Sequence, residues 1–150
     1  MDYFEIKESK KLYGSVKVSG SKNAVLPLMA ASILNKKKIK ILNVPTLSDS
    51  ITMSKLIEEM GGNVQFDYDD SIIVDSSKLN NPYAPYDLVK TMRASFYVLG
   101  PLLARFKKAK VSLPGGCAWG PRPVDFHLKG LESLGVKISI ENGYVVANAR

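Results

Sequence analysis

Apolar positions along the chain change their period in an order that repeats. Met53, Leu56, Ile57 and Met60 recur at i, i+3, i+4 and i+7, one face of a helix, and Gly61 follows them, suited to the left-handed residue that ends a helix. The period then drops to two. Residues 63–67 and 71–75 read as strands joined across an acidic turn into a hairpin. Residues 56–66 find a counterpart in residues 130–140 at a constant offset of 74: a helix ending at Gly135, a strand over 136–140, then a second over 144–147, with Asn142-Gly143 as the tight-turn pair.

The repeat extends upstream at a slightly shorter offset. A helix over 20–34 followed by a strand over 39–42 is matched by a helix over 91–105 and a strand over 109–113, so that at offset 71 Lys22 falls on Arg93. With an alternating stretch at 15–18 counted as its first strand, each unit reads strand, helix, strand, helix, strand, strand, over about 65 residues. A Ser-, Asn- and Pro-rich joint, residues 76–84 and Pro85, separates the two. Such a unit exposes one apolar helix face and one sheet face, so copies pack on one another, and two copies look incomplete.

Composition narrows the class. The chain has 150 residues, 45% hydrophobic and 23% charged, which excludes disorder, collagen and coiled coil. Its longest nearly apolar stretch, residues 24–34, is far shorter than the ~20 residues that span a bilayer. The N-terminus lacks a signal-peptide layout and a single cysteine forms no internal disulfide, so the expectation is a cytoplasmic protein without a membrane span. The formal charge of +7 favours anionic partners. Much of the excess sits in Lys36-Lys37-Lys38 with Lys40, and in Lys107-Lys108 with Lys110. Each run lies between a helix-like and a strand-like stretch, where a solvated turn is the plainer reading. A nucleic-acid patch would want aromatic stacking platforms among these lysines, and none is interleaved.

Two stretches carry candidate chemistry. The loop over 114–123 holds three glycines and three prolines, with the chain's only cysteine, Cys117, its only tryptophan, Trp119, and Arg122; the only histidine, His127, follows on the first turn of the next helix. A thiol beside an arginine and near a helix N-terminus has a route to a lowered pKa and to acid or nucleophile chemistry. The plain alternatives are an inert loop thiol, a packing or capping histidine and a loop-anchoring tryptophan. The second stretch is residues 14–23, in which Gly20-Ser21 can bring backbone amides to a helix start beside Lys22, a place that favours an anion. It is neither a P-loop nor a dinucleotide fingerprint. Lys22 and Arg93, equivalent in the repeat, can point cations at one seam, and Arg122 adds a third. No Cys and His cluster calls for a metal, and no cofactor is expected.

Read together, Gly20-Ser21-Lys22-Asn23-Ala24, Asn43-Val44-Pro45, Thr91-Met92-Arg93-Ala94-Ser95, Pro114-Gly115-Gly116-Cys117 and Arg122-Pro123-Val124-Asp125 with His127 resemble the N-terminal part of the UDP-N-acetylglucosamine enolpyruvyl (1-carboxyvinyl) transferases, in order and spacing and over the whole chain. The resemblance implies an inside-out α/β barrel of repeated βαβαββ units, incomplete here. Residues 1–20 would be a strand pair of a second, otherwise absent domain. Residues 21–150 would hold two of three units of the first domain, about 21–75 and 85–147. That assignment displaces residues 15–18 from the first unit.

It also implies the reaction. The sugar 3'-hydroxyl adds to C2 of phosphoenolpyruvate while C3 is protonated, and the tetrahedral intermediate loses phosphate, the first committed step of peptidoglycan synthesis. By resemblance, Lys22, Asn23 and Arg122 hold phosphoenolpyruvate. Cys117 is the loop acid and the residue that fosfomycin alkylates. Asn23, Arg93, Pro123, Val124, Asp125 and His127 line the UDP-sugar site. Tyr97, where the family commonly has Trp, and Pro121 are departures. The family's base and a further arginine would lie past Arg150, so these 150 residues alone are expected not to turn over. The implied partners are the two small substrates, no nucleic acid and no membrane, with the C-terminal part of the same enzyme or self-association covering exposed apolar surface. The rivals are a shikimate-3-phosphate type of transferase, a basic RNA-binding or RNA-end-processing domain, and a non-catalytic interaction fragment.

Overall fold

The computed structural model describes residues 3–8, 11–115 and 123–150. The first unit runs α1 (Lys22–Ser32), β1 (Lys38–Ile41), α2 (Ser48–Glu59), β2 (Asn63–Asp67) and β3 (Ser71–Asp75). The second runs β4 (Tyr83–Ala84), α3 (Tyr86–Val89), a 3-10 helix (Arg93–Val98), α4 (Leu99–Phe106), β5 (Lys108–Ser112), α5 (Asp125–Ser133), β6 (Lys137–Glu141) and β7 (Tyr144–Asn148). Each unit folds its strands into one mixed or antiparallel sheet, ordered β1-β3-β2 in the first and β4-β5-β7-β6 in the second. The repeat read from the sequence is therefore a repeat in space: β5-β7-β6 reproduces β1-β3-β2, with Ile39 opposite Val74 in one sheet and Ala109 opposite Ala147 in the other.

The two periodicities meet in the core. Alternate residues of β3, Ile72 and Val74, are fully buried, and Met53, Leu56 and Ile57 of α2 and the following Met60 are also without exposure. Val25, Leu26, Met29 and Ile33 of α1 and its C-cap continue the apolar layer to Phe96 and Val98 of the 3-10 helix and Leu102 of α4, so one cluster runs through both units. Each fully buried side chain of this size contributes about 1.5–3 kcal/mol. Arg105, in the last turn of α4, crosses the seam: its guanidinium donates to the carbonyls of Ile33 at 2.9 Å, Leu79 at 3.2 Å and Ser77 at 3.5 Å.

Four expectations change. The helix expected over 91–105 is a 3-10 helix followed by an α-helix, because the tighter turn carries Ser95, Phe96 and Val98 inward against α1. The joint is more than a turn: Tyr83–Ala84 pairs in parallel with β5, a long-range pairing that local pattern does not announce. Residues 15–18 join neither sheet, and Val16 and Val18 are 90% and 80% exposed; alternation specifies a face, not a partner strand. Finally, α5 repeats the pattern of α2 but buries none of its residues.

One lysine beside each run is taken up locally. Lys40 reaches Asp69 at 2.9 Å and Asp67 at 3.4 Å across the first hairpin. Its hydrogen bond to Asp69 holds the Lys40 pKa above the usual lysine value, and hydrogen bonds from Ser71 and then Lys40 hold Asp69 below the usual carboxylate value. The Lys110 ammonium lies 5.0 Å from the ring centre of Tyr144, whose hydroxyl accepts from the Tyr83 hydroxyl at 3.0 Å and the Tyr86 N–H at 3.2 Å. Donating that bond raises the pKa of Tyr83, and accepting it lowers that of Tyr144. Tyr144 is accordingly expected to ionise before Tyr83 as pH rises, and Y83F is expected to return Tyr144 toward the ordinary tyrosine value. Side-chain NMR of labelled tyrosine across an alkaline titration checks this; an unmoved Tyr144 midpoint in Y83F refutes it.

Candidate active site

Lys22 owes its place to a backbone crossing. Gly20 lies directly on the carbonyl of Asn43, and a side-chain carbon at Gly20 would fall onto that oxygen. The segment entering α1 is thus pressed against the loop between β1 and α2. In that loop Asn43 takes a left-handed backbone (φ 52), which asparagine tolerates, and the Val44 N–H donates to the Asp70 carbonyl at 2.6 Å. The Ser50 hydroxyl accepts from the Leu47 N–H at 3.1 Å and donates to the Pro45 carbonyl at 2.9 Å, closing the turn that starts α2.

The two helix starts then meet through their side chains. The Lys22 ammonium lies 2.9 Å from Asp49 Oδ2, with the side chains 47% and 30% exposed.

From the second unit, Arg93 opens the 3-10 helix and donates to the Pro123 carbonyl at 3.4 Å. Lys22, Asn23 and Asp49 face Thr91, Arg93 and Tyr97 across one cleft of about 510 Å³. Tyr97 also forms the wall of a neighbouring apolar groove of about 400 Å³, between α4 and α5, where His127 sits. The His127 ring is 6.2 Å from that of Phe96 and 6.5 Å, edge-on, from that of Tyr97. Val124 is buried, while Asp125 opens α5 and lies 3.9 Å from Lys129. Gly115 packs on the Lys90 carbonyl, where an added side-chain carbon would come within 2.8 Å, so the start of the 114–123 loop is pinned to the end of α3.

The structure thus brings Lys22, Asn23 and Arg93 into one cleft, reaches Pro123 through Arg93, and sets His127 one aromatic ring away. Cys117 and Arg122 lie outside the described residues. Sequence reasoning missed Asp49 and gave Tyr97 no place in the site. An acid 27 positions after Lys22 carries no periodic signal; the packing of α1 on α2 and the Gly20 crossing make them neighbours. With an ammonium, a guanidinium, an amide side chain and the first N–H groups of α1, the cleft is furnished for an anion with more than one charged group. No group of His, Cys, Asp and Glu able to hold a metal occurs among the described residues, and no helix among them is long and apolar enough to cross a membrane.

Comparison with known proteins follows the same line. The family described as EPSP synthase (3-phosphoshikimate 1-carboxyvinyltransferase) matches residues 6–150. The chain is 51% identical over 150 residues to the UDP-N-acetylglucosamine 1-carboxyvinyltransferase of Campylobacter fetus, covering all of this chain and 36% of that protein. It is 57% identical over 148 residues to the protein of the same name from Acinetobacter baylyi, covering 98% and 35%. Among solved structures it is similar to the enolpyruvyl transferase NikO from Streptomyces tendae, with a TM-score of 0.78 and 25% identity over 93% of this chain and 30% of that one. The chain spans about a third of the length of the curated relatives it matches.

Proposed function

Because this chain belongs to the EPSP synthase (3-phosphoshikimate 1-carboxyvinyltransferase) family, we propose that it forms part of an enolpyruvyl transferase that moves the enolpyruvyl group of phosphoenolpyruvate to the 3'-hydroxyl of UDP-N-acetylglucosamine, acting in the cytoplasm at the first committed step of peptidoglycan synthesis, and so in cell-wall growth, cell shape and division. Residues 21–150 supply two of the three units of one domain, and residues 1–20 pair with the other domain. The observation that carries the reading is the cleft in which Lys22 and Arg93, one cation from each repeat, face the same cavity. Both substrates are polyanions, and fixed cations stabilise their binding and the charge that develops during addition. The whole-chain identity to UDP-N-acetylglucosamine transferases supports the choice of acceptor.

In this reading Lys22 and Asn23 take the phosphoenolpyruvate side of the cleft with Arg122. Arg93, Asn23, Pro123, Val124, Asp125 and His127 take the sugar nucleotide. The hydroxyl oxygen bonds to C2 as its proton passes to a base of the whole enzyme, a proton goes to C3 with Cys117 assisting as the loop acid, and the C2–O bond to phosphate then breaks as a proton leaves C3, restoring the double bond and releasing phosphate. Fosfomycin alkylation falls on the same thiol.

The family's printed description names a different acceptor, a phosphorylated shikimate, and the test separates the two. UDP-N-acetylglucosamine titrated into the chain is expected to shift the amides of Arg93, Ala94 and His127, and R93A is expected to weaken it at least about tenfold, or ~1.4 kcal/mol. Shikimate 3-phosphate is expected to leave them unmoved. Shifts from shikimate 3-phosphate with none from the sugar nucleotide would reassign the acceptor.

A further inference from the structure

Among the described residues, Asp49 is the one carboxylate lining the cleft, and the proposed function gives it no role. We infer that Asp49 positions Lys22 for the phosphorylated substrate; the inference rests on that function, since it takes the anion at Lys22 to be phosphoenolpyruvate. A lysine ammonium ends a flexible four-carbon stem and is a point charge without the planar fork of arginine. Left to roam, it presents its donors to an anion in many geometries. Here it is held at 2.9 Å from Asp49 Oδ2.

The tether is itself fixed. Asp49 is the second residue of α2, where the positive end of the helix favours a carboxylate. The turn before it is closed on both sides by the Ser50 hydroxyl, and the contact of Gly20 with Asn43 holds the start of α1 against the loop leading to α2. The contact is an ion pair, so the N–H donors of the ammonium remain available to a phosphate or carboxylate oxygen. Arg93 on the opposite wall is held in a parallel way, by the Pro123 carbonyl at 3.4 Å. Among the described residues, both cations of the cleft are thus anchored by an acceptor of the protein, each with donors to spare.

A simpler electrostatic account makes the opposite prediction. If Asp49 only adds negative charge to an anion site, its removal tightens the anion. The sign of one measurement therefore decides. Phosphoenolpyruvate and, separately, UDP-N-acetylglucosamine are titrated into the full chain and its D49N and D49E variants, followed by NMR at the backbone amides of Lys22 and Arg93 and at the side-chain ammonium of Lys22. D49N is expected to weaken phosphoenolpyruvate about tenfold, to leave the sugar nucleotide within about twofold, and to remove the slowly exchanging ammonium signal. D49E keeps the carboxylate and is expected to retain that signal and to bind phosphoenolpyruvate within about threefold of the parent.

An unchanged unfolding temperature in D49N separates positioning from loss of fold; were D49N not to fold, the D49E arm decides alone, since loss of the ammonium signal or of binding there overturns the role. Phosphoenolpyruvate binding by D49N as tight as the parent or tighter overturns it too, while leaving the proposed function standing. A parent chain that binds neither ligand overturns both.

Discussion

Gly20→Ala is expected to lower the unfolding temperature by on the order of 10 °C, the equivalent of about 3 kcal/mol or more in a chain of this size. The added carbon has no accommodating neighbour, because what it meets is the backbone oxygen of Asn43, itself held in a left-handed conformation beside the Val44 to Asp70 hydrogen bond. Overlap with a flexible side chain is relieved by a rotamer change; overlap with a carbonyl is relieved only by moving the loop. Moving that loop carries α2 with it, so the same substitution is expected to uncouple Lys22 from Asp49 and to remove the Lys22 ammonium signal in whatever fraction still folds. The control is Gly130→Ala, in α5, where the added carbon has open space. There the better helix propensity of alanine is expected to raise stability by about 0.5–1 kcal/mol. Thermal unfolding of the two variants side by side tests the pair, and equal melting of G20A and the parent would remove the backbone crossing from the account.

The second large effect is an asymmetry between equivalent positions. Met60 and Leu134 correspond at offset 74, each just before the glycine that ends its helix. Met60 is fully buried, and its carbonyl accepts from the N–H groups of Asn80 and Asn81 at 3.1 Å. Leu134 is 83% exposed. Met60→Ala is expected to cost about 2–5 kcal/mol, as a methionine removed from a close-packed core does. Leu134→Ala is expected to change stability by no more than about 0.5 kcal/mol. Urea unfolding at equilibrium measures both. A large loss at Leu134 would mean that α5 is packed in solution on something that covers its apolar face.

That contrast marks what local pattern conveys. The first hairpin is legible to the residue, because strand period and turn chemistry are written within 13 consecutive positions, Asn63 to Asp75. Helix α2 is equally plain, and so is the equivalence of Lys22 and Arg93, which self-similarity alone reveals. What pattern does not convey is the environment of an element. The apolar stripe of α5 is as clear as that of α2, yet burial depends on what lies opposite. The split of residues 91–105 into two helix types follows from packing on α1, and β4 exists only because β5 lies beside it. The site divides in the same way: the cations were visible as motif residues, whereas Asp49 and Tyr97 enter the cleft through contacts between distant parts of the chain.

Arg105 has a consequence for how the two repeats are joined. A seam made of aliphatic side chains alone lets one module slide on the next by a fraction of a residue at small cost, since such contacts have little directionality. A guanidinium is a rigid planar fork, and this one is engaged by carbonyls from the end of α1 and from the joint. Sliding would break those bonds together, so the fork acts as a vernier that fixes the stacking register of the modules. In a quasi-one-dimensional array, where stability is a sum of module terms and neighbour couplings, that adds a directional constraint to the apolar coupling of the shared core, and the two modules are set to unfold as one cooperative block.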